Sequence, residues 1–295
     1  EAEDFGAKLM TKLGLEARKE PEWSVWEKLL LHSREPASRV KVAMVGKYAE
    51  TGEFQLTDSY LSVNQSLVHA GVARDAKVDI TWIDGTKFES GEMAIEELER
   101  FSGIIVPGAF GGGGGEGVIA AIQFARENGL PYLGLCYGLQ MAVVEYARNL
   151  AGIPQATSAE FETGSEYQVV CVQENQKETL AANRYGGSMR LGAYAAVLKS
   201  ESKVTQLYEE SGRLEEDAER IRQLLNNQDQ AFRVGQIIEG HDKVVLERHR
   251  HRYEVSAKFV EPLEEAGLVF SGYHRRTDGT RLMEFLELCD HRYFV

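Results

Sequence analysis

Residues 131–149 read PYLGLCYGLQMAVVEYARN, an apolar run that turns into a helical pattern with a cysteine between two glycines at the change. Gly134-Leu135-Cys136-Tyr137-Gly138 has the form of a strand-to-helix elbow, in which a sharp turn lifts the middle side chain to the top edge of a sheet and glycines stand where a Cβ would clash. A lone cysteine is more often a small buried hydrophobe. Here the position makes the case for a nucleophile. At a helix N-terminus the macrodipole and free N–H groups favour a thiolate and are expected to lower the thiol pKa, and the Tyr137 N–H would face an oxyanion formed on a carbonyl attacked by Cys136. Cys171 and Cys289 read as buried core thiols.

The flanking pattern places this elbow in a sheet. VKVAMVGKY (40–48), KVDITWID (77–84), GIIVPG (103–108) and PYLGL (131–135) read as strands. SYLSVNQSLVHAG (59–71), MAIEELERF (93–101), GVIAAIQFAREN (117–128) and GLQMAVVEYARNL (138–150) read as helices. Such alternation predicts an α/β fold, a mostly parallel central sheet with helices on both faces, and a ligand crevice beyond the carboxyl ends of its strands. Past residue 160 the chain becomes more strand-like, with EYQVVCVQ, RLGAYAAVLK, HRYEVS and RLMEFLEL. Residues 1–38 form a lead-in whose Trp23, Trp26 and Leu30 recur at helical spacing and predict a helix packed on a core. In GRLEEDAERIRQLLNNQDQ (212–230), Leu214, Ala218, Ile221 and Leu225 share one helical face and charges fill the other. That is the pattern of a surface helix whose removal leaves the core intact.

Composition excludes several classes of function. A formal charge of −13 in 295 residues repels polyanions and argues against nucleic acid, while leaving room for a small anion in a local basic pocket. No stretch approaches the roughly 18 apolar residues of a membrane span. Three scattered cysteines without metal-ligand spacing point to a reducing compartment, the cytoplasm, and to no metal site. The start, EAEDFGAKLM, lacks both an initiator methionine and a signal-peptide pattern, which suggests a fragment or a processed chain.

Upstream of the elbow, VPGAFGGGGGEG (106–117) follows a strand and precedes a helix. It has neither the Walker lysine nor the dinucleotide spacing, so it reads better as the second backbone donor of an oxyanion hole, each donor being worth on the order of 3 kcal/mol in the transition state. PGAFG together with LGLCYGLQ resembles the class I glutamine amidotransferases, which have a flavodoxin-like architecture. MVGKY, DSYLSVNQSLVHAG, TSAEFE, GGSMRLGAY, ERHRHRYEV and EEAGLVFSG narrow the resemblance to the glutaminase domains of CTP synthases, from about residue 39 to Val295. Residues 1–38 resemble the linker from a synthase domain, and 39–295 the amidotransferase domain.

The resemblance implies hydrolysis of L-glutamine through a Cys136 thioester, supplying ammonia for amination of UTP to CTP. Gly108, Ala109 and Tyr137 would form the oxyanion hole. Ala109, Gln140, Glu160 and Arg252 would contact glutamine, and Lys47, Tyr48 and Arg190 match positions linked to the effector GTP. The glutaminase step would need no cofactor, ATP and Mg²⁺ would serve the synthase domain, and the full-length enzyme would be a homo-oligomer, a tetramer in the family.

Four features depart from the family pattern. Ala109 replaces a glycine, which is tolerable if its φ is negative. Gly113 stands where the family has an arginine that couples the site to GTP. A helical insertion covers about residues 209–242. The base histidine and its glutamate come, in the family, from a His-Pro-Glu segment just beyond DHRYFV, and none of the seven histidines here matches it. The natural chain is expected to continue into that segment; the alternative is a catalytically impaired module with a regulatory or interdomain role.

Overall fold

The computed structural model describes residues 3–16, 19, 22–47, 50–51, 54–55, 60–111, 113–172, 189–227, 229–238 and 242–295. Two compact units result, residues 1–40 with 64–78 and residues 41–63 with 79–295.

The first unit holds helices α1 (Phe5–Leu13) and α2 (Ser24–Arg34) and most of α3 (Leu61–Ala73). Gly14, at φ 63°, ends α1 by turning its N–H back to the Met10 and Thr11 carbonyls. A polar contact ties α2 to α3, with His32 Nδ1 2.9 Å from the Val72 carbonyl oxygen. Trp23 and Trp26 are 44% and 61% exposed, which corrects the reading of both as packed in a core. The helix is fastened through His32 and its apolar stripe is turned outward.

The second unit is built on strands β1 (Ser38–Gly46), β4 (Ala76–Asp84), β5 (Gly103–Val106) and β6 (Tyr132–Gly134), joined in the order β4-β1-β5-β6. The pairings β1–β5 and β5–β6 are parallel. Residues 103–106, Gly-Ile-Ile-Val, are buried throughout, as a strand covered on both faces must be. A small hairpin, β2 (Glu50–Thr51) with β3 (Phe54–Gln55), and a one-turn helix, α4 (Thr86–Glu89), lie between these elements in sequence. Helices α5 (Gly115–Glu127) and α6 (Tyr137–Asn149) cover the sheet, and each buries at least seven residues. They are locked by a buried ion pair, Arg126 giving Nε and Nη2 to the Glu145 carboxylate at 3.0 and 2.7 Å while Asn149 gives a third hydrogen bond. An edge of the sheet is closed by the last residues: Tyr132 N donates to Tyr293 O, Val295 N to Tyr132 O, and Gly134 N to Val295 O. Phe294 forms a parallel bridge with Tyr132, and their rings pack 4.6 Å apart.

The strand-rich half forms two further sheets. One is antiparallel, β10-β9-β12-β13, from Lys243–His251, Arg190–Leu198, Val269–Arg275 and Arg281–Glu287. The other is β11-β8-β7, from Tyr253–Val255, Gln168–Val172 and Thr157–Ser158. HRYEVS, read as one strand, is therefore two: the chain leaves β10 after His251, turns at Arg252 and enters β11 in a different sheet. Helix α7 (Lys203–Glu210) is capped by Ser202, whose side chain accepts from Thr205 N, and α9 (Ala257–Glu265) packs Phe259, Val260 and Leu263 into the main core. Among the described residues no helix is long and apolar enough to cross a membrane.

Helix α8 (Arg213–Leu225) is the amphipathic helix expected from the sequence, but it is more than a surface addition. Ile221 packs into a cluster with Ala195, Val197, Val244 and Leu246 of β9 and β10. Asp217, assigned to the charged face, is fully buried. Its Oδ2 accepts from Leu246 N at 2.9 Å and from Arg213 Nη2 at 3.1 Å, and its Oδ1 accepts from Arg220. Deleting 212–230 would strip this cover from β10, so the expectation that removal is harmless is withdrawn. Asp217→Ala leaves a strand N–H and a guanidinium without their buried acceptor and is expected to cost about 3 kcal/mol. Urea unfolding of the variant checks this, and a loss below about 0.5 kcal/mol, the range of an ordinary surface change, contradicts it.

Candidate active site

The elbow exists because its neighbours leave no room for anything else. A Cβ on Gly134 would lie 2.7 Å from Gly138 C and from the Tyr132 hydroxyl, and one on Gly138 would strike the Val106 carbonyl oxygen. Leu135 N donates to Val106 O at 2.8 Å, which pins the turn to the adjoining strand β5. Cys136 is thereby held at φ 56°, ψ −99°, one of three non-glycine residues with positive φ among those described. A cysteine held in so sparsely populated a backbone region, in the lining of a cavity, has the geometry of a nucleophile elbow.

The cavity has a volume of about 760 Å³, and Cys136, Gly108, Ala109, Phe110, Gln140 and Tyr253 all line it. A Cβ on Gly108 would lie 3.6 Å from Cys136 Cβ and 3.8 Å from Sγ, so the glycine loop passes directly beside the thiol. Ala109 is buried and has no positive φ, so its methyl group is accommodated without backbone strain. Farther along the loop, Gly111 N donates to Glu160 Oε1 at 2.7 Å, which closes the loop onto the segment after β7. Gln140 is buried, and its Nε2 donates to the Tyr253 carbonyl oxygen at 3.1 Å, fixing which end of the amide is spent on the protein.

The thiol is not the lowered one that the helix terminus alone implied. Burial among protein atoms at the cavity floor pushes Cys136 up to about 11; the Tyr137 N–H pulls the other way, and the Glu160 and Glu254 carboxylates raise it further. Sγ is nevertheless open to solvent through the cavity. A resting thiol at this position therefore needs a base. His249 and His251 line the same cavity, but burial lowers both below the ordinary histidine range, His249 to about 2; His249 Nδ1 is engaged with His251 Nε2, and His251 Nδ1 with the Tyr253 carbonyl. His291 is committed at both nitrogens, to Ala125 O and Tyr293 N. His274 Nδ1 is held by Ala195 O. His241 lies outside the described residues.

The other sequence-derived residues separate into groups. Glu160 reaches the site through the glycine loop and does not line the cavity, nor does Arg252, which occupies the turn between β10 and β11 beside Tyr253. Lys47 Nζ is enclosed and stacks 4.5 Å above the Tyr137 ring centroid and 5.4 Å from that of Phe161, with no hydrogen-bond partner among the described residues. Burial lowers its pKa, against the attraction of Glu160, Glu89 and Asp84. Arg190 is 6% exposed, hydrogen-bonded to Glu284 and 3.9 Å from Glu254. Tyr48 lies outside the described residues. Cys289 is exposed and Cys171 partly so, which corrects their reading as core thiols. Tyr253, His251 and Glu254 are absent from the sequence-derived set; for His251 the signal is the alternation in RHRH, whose odd and even positions face opposite ways in a strand.

A model of the family "Glutamine amidotransferase class-I" matches residues 55–292. The CTP synthase of Pyrococcus abyssi is 40% identical over 295 residues, which is 100% of this chain and 47% of that protein. The CTP synthase of Acidothermus cellulolyticus is 41% identical over 288 residues, 97% of this chain and 44% of that protein. The chain thus spans about half the length of these relatives. Among solved structures, the Trypanosoma brucei CTPS glutaminase domain with bound acivicin aligns with a TM-score of 0.67 at 32% identity, covering 86% of this chain and 83% of that one.

Alkylation by iodoacetamide, which needs only thiolate and access, is expected to be slow at Cys136 at pH 7 and to quicken with each pH unit through pH 9, because the thiol is held protonated until its raised pKa is approached. Peptide mapping across that pH series checks it; a rate that levels off below pH 8 is the contrary result.

Proposed function

The chain belongs to the class I glutamine amidotransferase family, and on that footing we propose that it is the glutaminase half of a CTP synthase, releasing ammonia from L-glutamine through a thioester on Cys136. The observation that carries the proposal is the strained elbow at Cys136, with Gly108 against its sulfur and buried Gln140 in the same cavity. The Cys136 thiol gives its proton to a base as sulfur attacks the side-chain carbonyl carbon of glutamine. The developing oxyanion turns to the N–H of Tyr137 and those of the Gly108–Ala109 loop. As the intermediate collapses, the amide nitrogen takes the proton from the conjugate acid of that base and leaves as ammonia, and a glutamyl thioester remains. Water, deprotonated by the same base, then releases glutamate.

The base is assigned to the continuation of the last strand. Residues 293–295 run alongside β6 with Val295 bonded to Gly134, two residues before the nucleophile. A residue that follows Val295 in the same direction comes level with Leu135 and Cys136. A His-Pro-Glu segment there would supply the histidine that the described residues do not bring to the thiol. Arg252 would hold the carboxylate of glutamine and Glu160 its ammonium group, as suits their charges. ATP, Mg²⁺ and UTP belong in this reading to a synthase half outside the chain, GTP to regulation, and the compartment is the cytoplasm.

The test uses the full-length protein with glutamine or ammonium chloride as nitrogen source. Cys136→Ala is expected to abolish CTP formation from glutamine and to leave formation from ammonium unchanged. Replacing the expected histidine beyond Val295 with Ala should lower glutamine turnover by about 10² to 10⁴. A wild-type protein that makes CTP from ammonium and never from glutamine would identify the impaired module instead.

A further inference from the structure

Beneath the substrate-facing wall lies a buried group of charges that the reaction above does not use. The Tyr253 carbonyl oxygen, in the cavity wall, accepts from Gln140 Nε2 at 3.1 Å and lies 3.0 Å from His251 Nδ1. Because a carbonyl oxygen only accepts, Nδ1 of His251 carries the hydrogen. In the neutral ring Nε2 is then an acceptor. It sits 2.9 Å from His249 Nδ1, so that nitrogen must donate. His249 Nε2 is left as a buried lone pair with no hydrogen bond, 3.1 Å from Glu284 Oε2. The other oxygen of Glu284 accepts from Arg190. Two acceptors so close, both out of water, require that one of them be protonated.

From this chain of donors, and resting on the glutaminase reading, we infer that His251 is a positioning residue for the glutamine pocket, kept in its Nδ1–H tautomer by one proton retained on Glu284. The proton fixes the direction of every hydrogen bond from Glu284 to Tyr253. The Tyr253 carbonyl in turn holds Gln140 and the turn that carries Arg252. With the proton gone, His249 can turn its hydrogen toward Glu284. His251 then loses its donor, and the His251 lone pair is free to face the Tyr253 carbonyl.

The groups around this proton are Arg190 and Tyr194 from β9, His251 from β10, Glu254 from β11, and His274 with Arg276 at the end of β12. Arg190 is the sole cation bonded to Glu284 among the described residues, and it faces Glu254 as well. Burial outweighs that single guanidinium and raises both carboxyls to about 7. A carboxyl raised in this way is protonated below that pH and loses its proton above it, so the positioned state belongs to the acid side.

In the full-length protein, the test compares modification of Cys136 by 6-diazo-5-oxonorleucine, a glutamine-mimicking electrophile, with modification by iodoacetamide, which needs the thiol and no pocket. The ratio of the two rates reads the pocket and cancels changes in the thiol. His251→Gln places its amide nitrogen at the Nε2 position and should lower the ratio about tenfold. His251→Asn places it at the Nδ1 position and should keep the ratio within about twofold. The two amides are alike in chemistry, so a general loss of packing would not separate them. Wild type should lose the ratio as pH rises through about 7. Glu284→Gln accepts from Arg190 and is neutral at every pH, so it should keep the ratio and flatten that fall. Equal behaviour of Asn and Gln at position 251, or a wild-type pH profile in Glu284→Gln, overturns the inference while the glutaminase reading stands. A wild type that shows no preference for the glutamine analogue at any pH overturns both.

Discussion

Everything in the site is referred to one backbone turn. Cys136 can stand at φ 56° because the strand before it and the helix after it are each fixed independently: β6 between β5 and residues 293–295, and α6 against α5 through Arg126 and Glu145. The close approaches at Gly134 and Gly138 convert that fixity into a single placement of the sulfur. Strain of this kind, of order 1–3 kcal/mol, persists only where surrounding structure over-determines it. Two packed helices and a strand, β6, paired on both sides supply that surplus.

The elbow was legible in the sequence because its cause is local: two glycines, an apolar run and a helix, all within nineteen residues. The parallel sheet was legible for the same reason, strand by strand. The state of the thiol was not. The helix terminus argued for a lowered pKa, but desolvation at the cavity floor and the carboxylates of Glu160 and Glu254, brought from distant segments, prevail over it. Local dipoles can be read from neighbours in the chain, whereas burial cannot.

The same distinction explains Asp217 and Trp26. A helical wheel assigns Asp217 to the wet face, and nothing in its vicinity announces that Leu246, twenty-nine residues later, presents an N–H to it. Trp26 carries the apolar signature of a core residue and stays 61% exposed. In RHRHRY the arginines drew the eye because their chemistry suits glutamine's carboxylate. The histidines between them proved to be the buried half of the strand, linked to Tyr253 and Glu284. Alternation along a strand shows that two sets of residues part company, but choosing the inner set requires knowing which side the next sheet occupies.

The pairing of residues 293–295 with β6 also bears on synthesis. Tyr132 and Gly134 wait for partners that lie some 160 residues farther along the chain. Until those have left the ribosome, the strand that leads into Cys136 is an uncovered edge, open to any other strand in reach. The long separation makes this closure a late, non-local event. Even with α5 and α6 already packed, the nascent site would lack a wall until residues 293–295 dock.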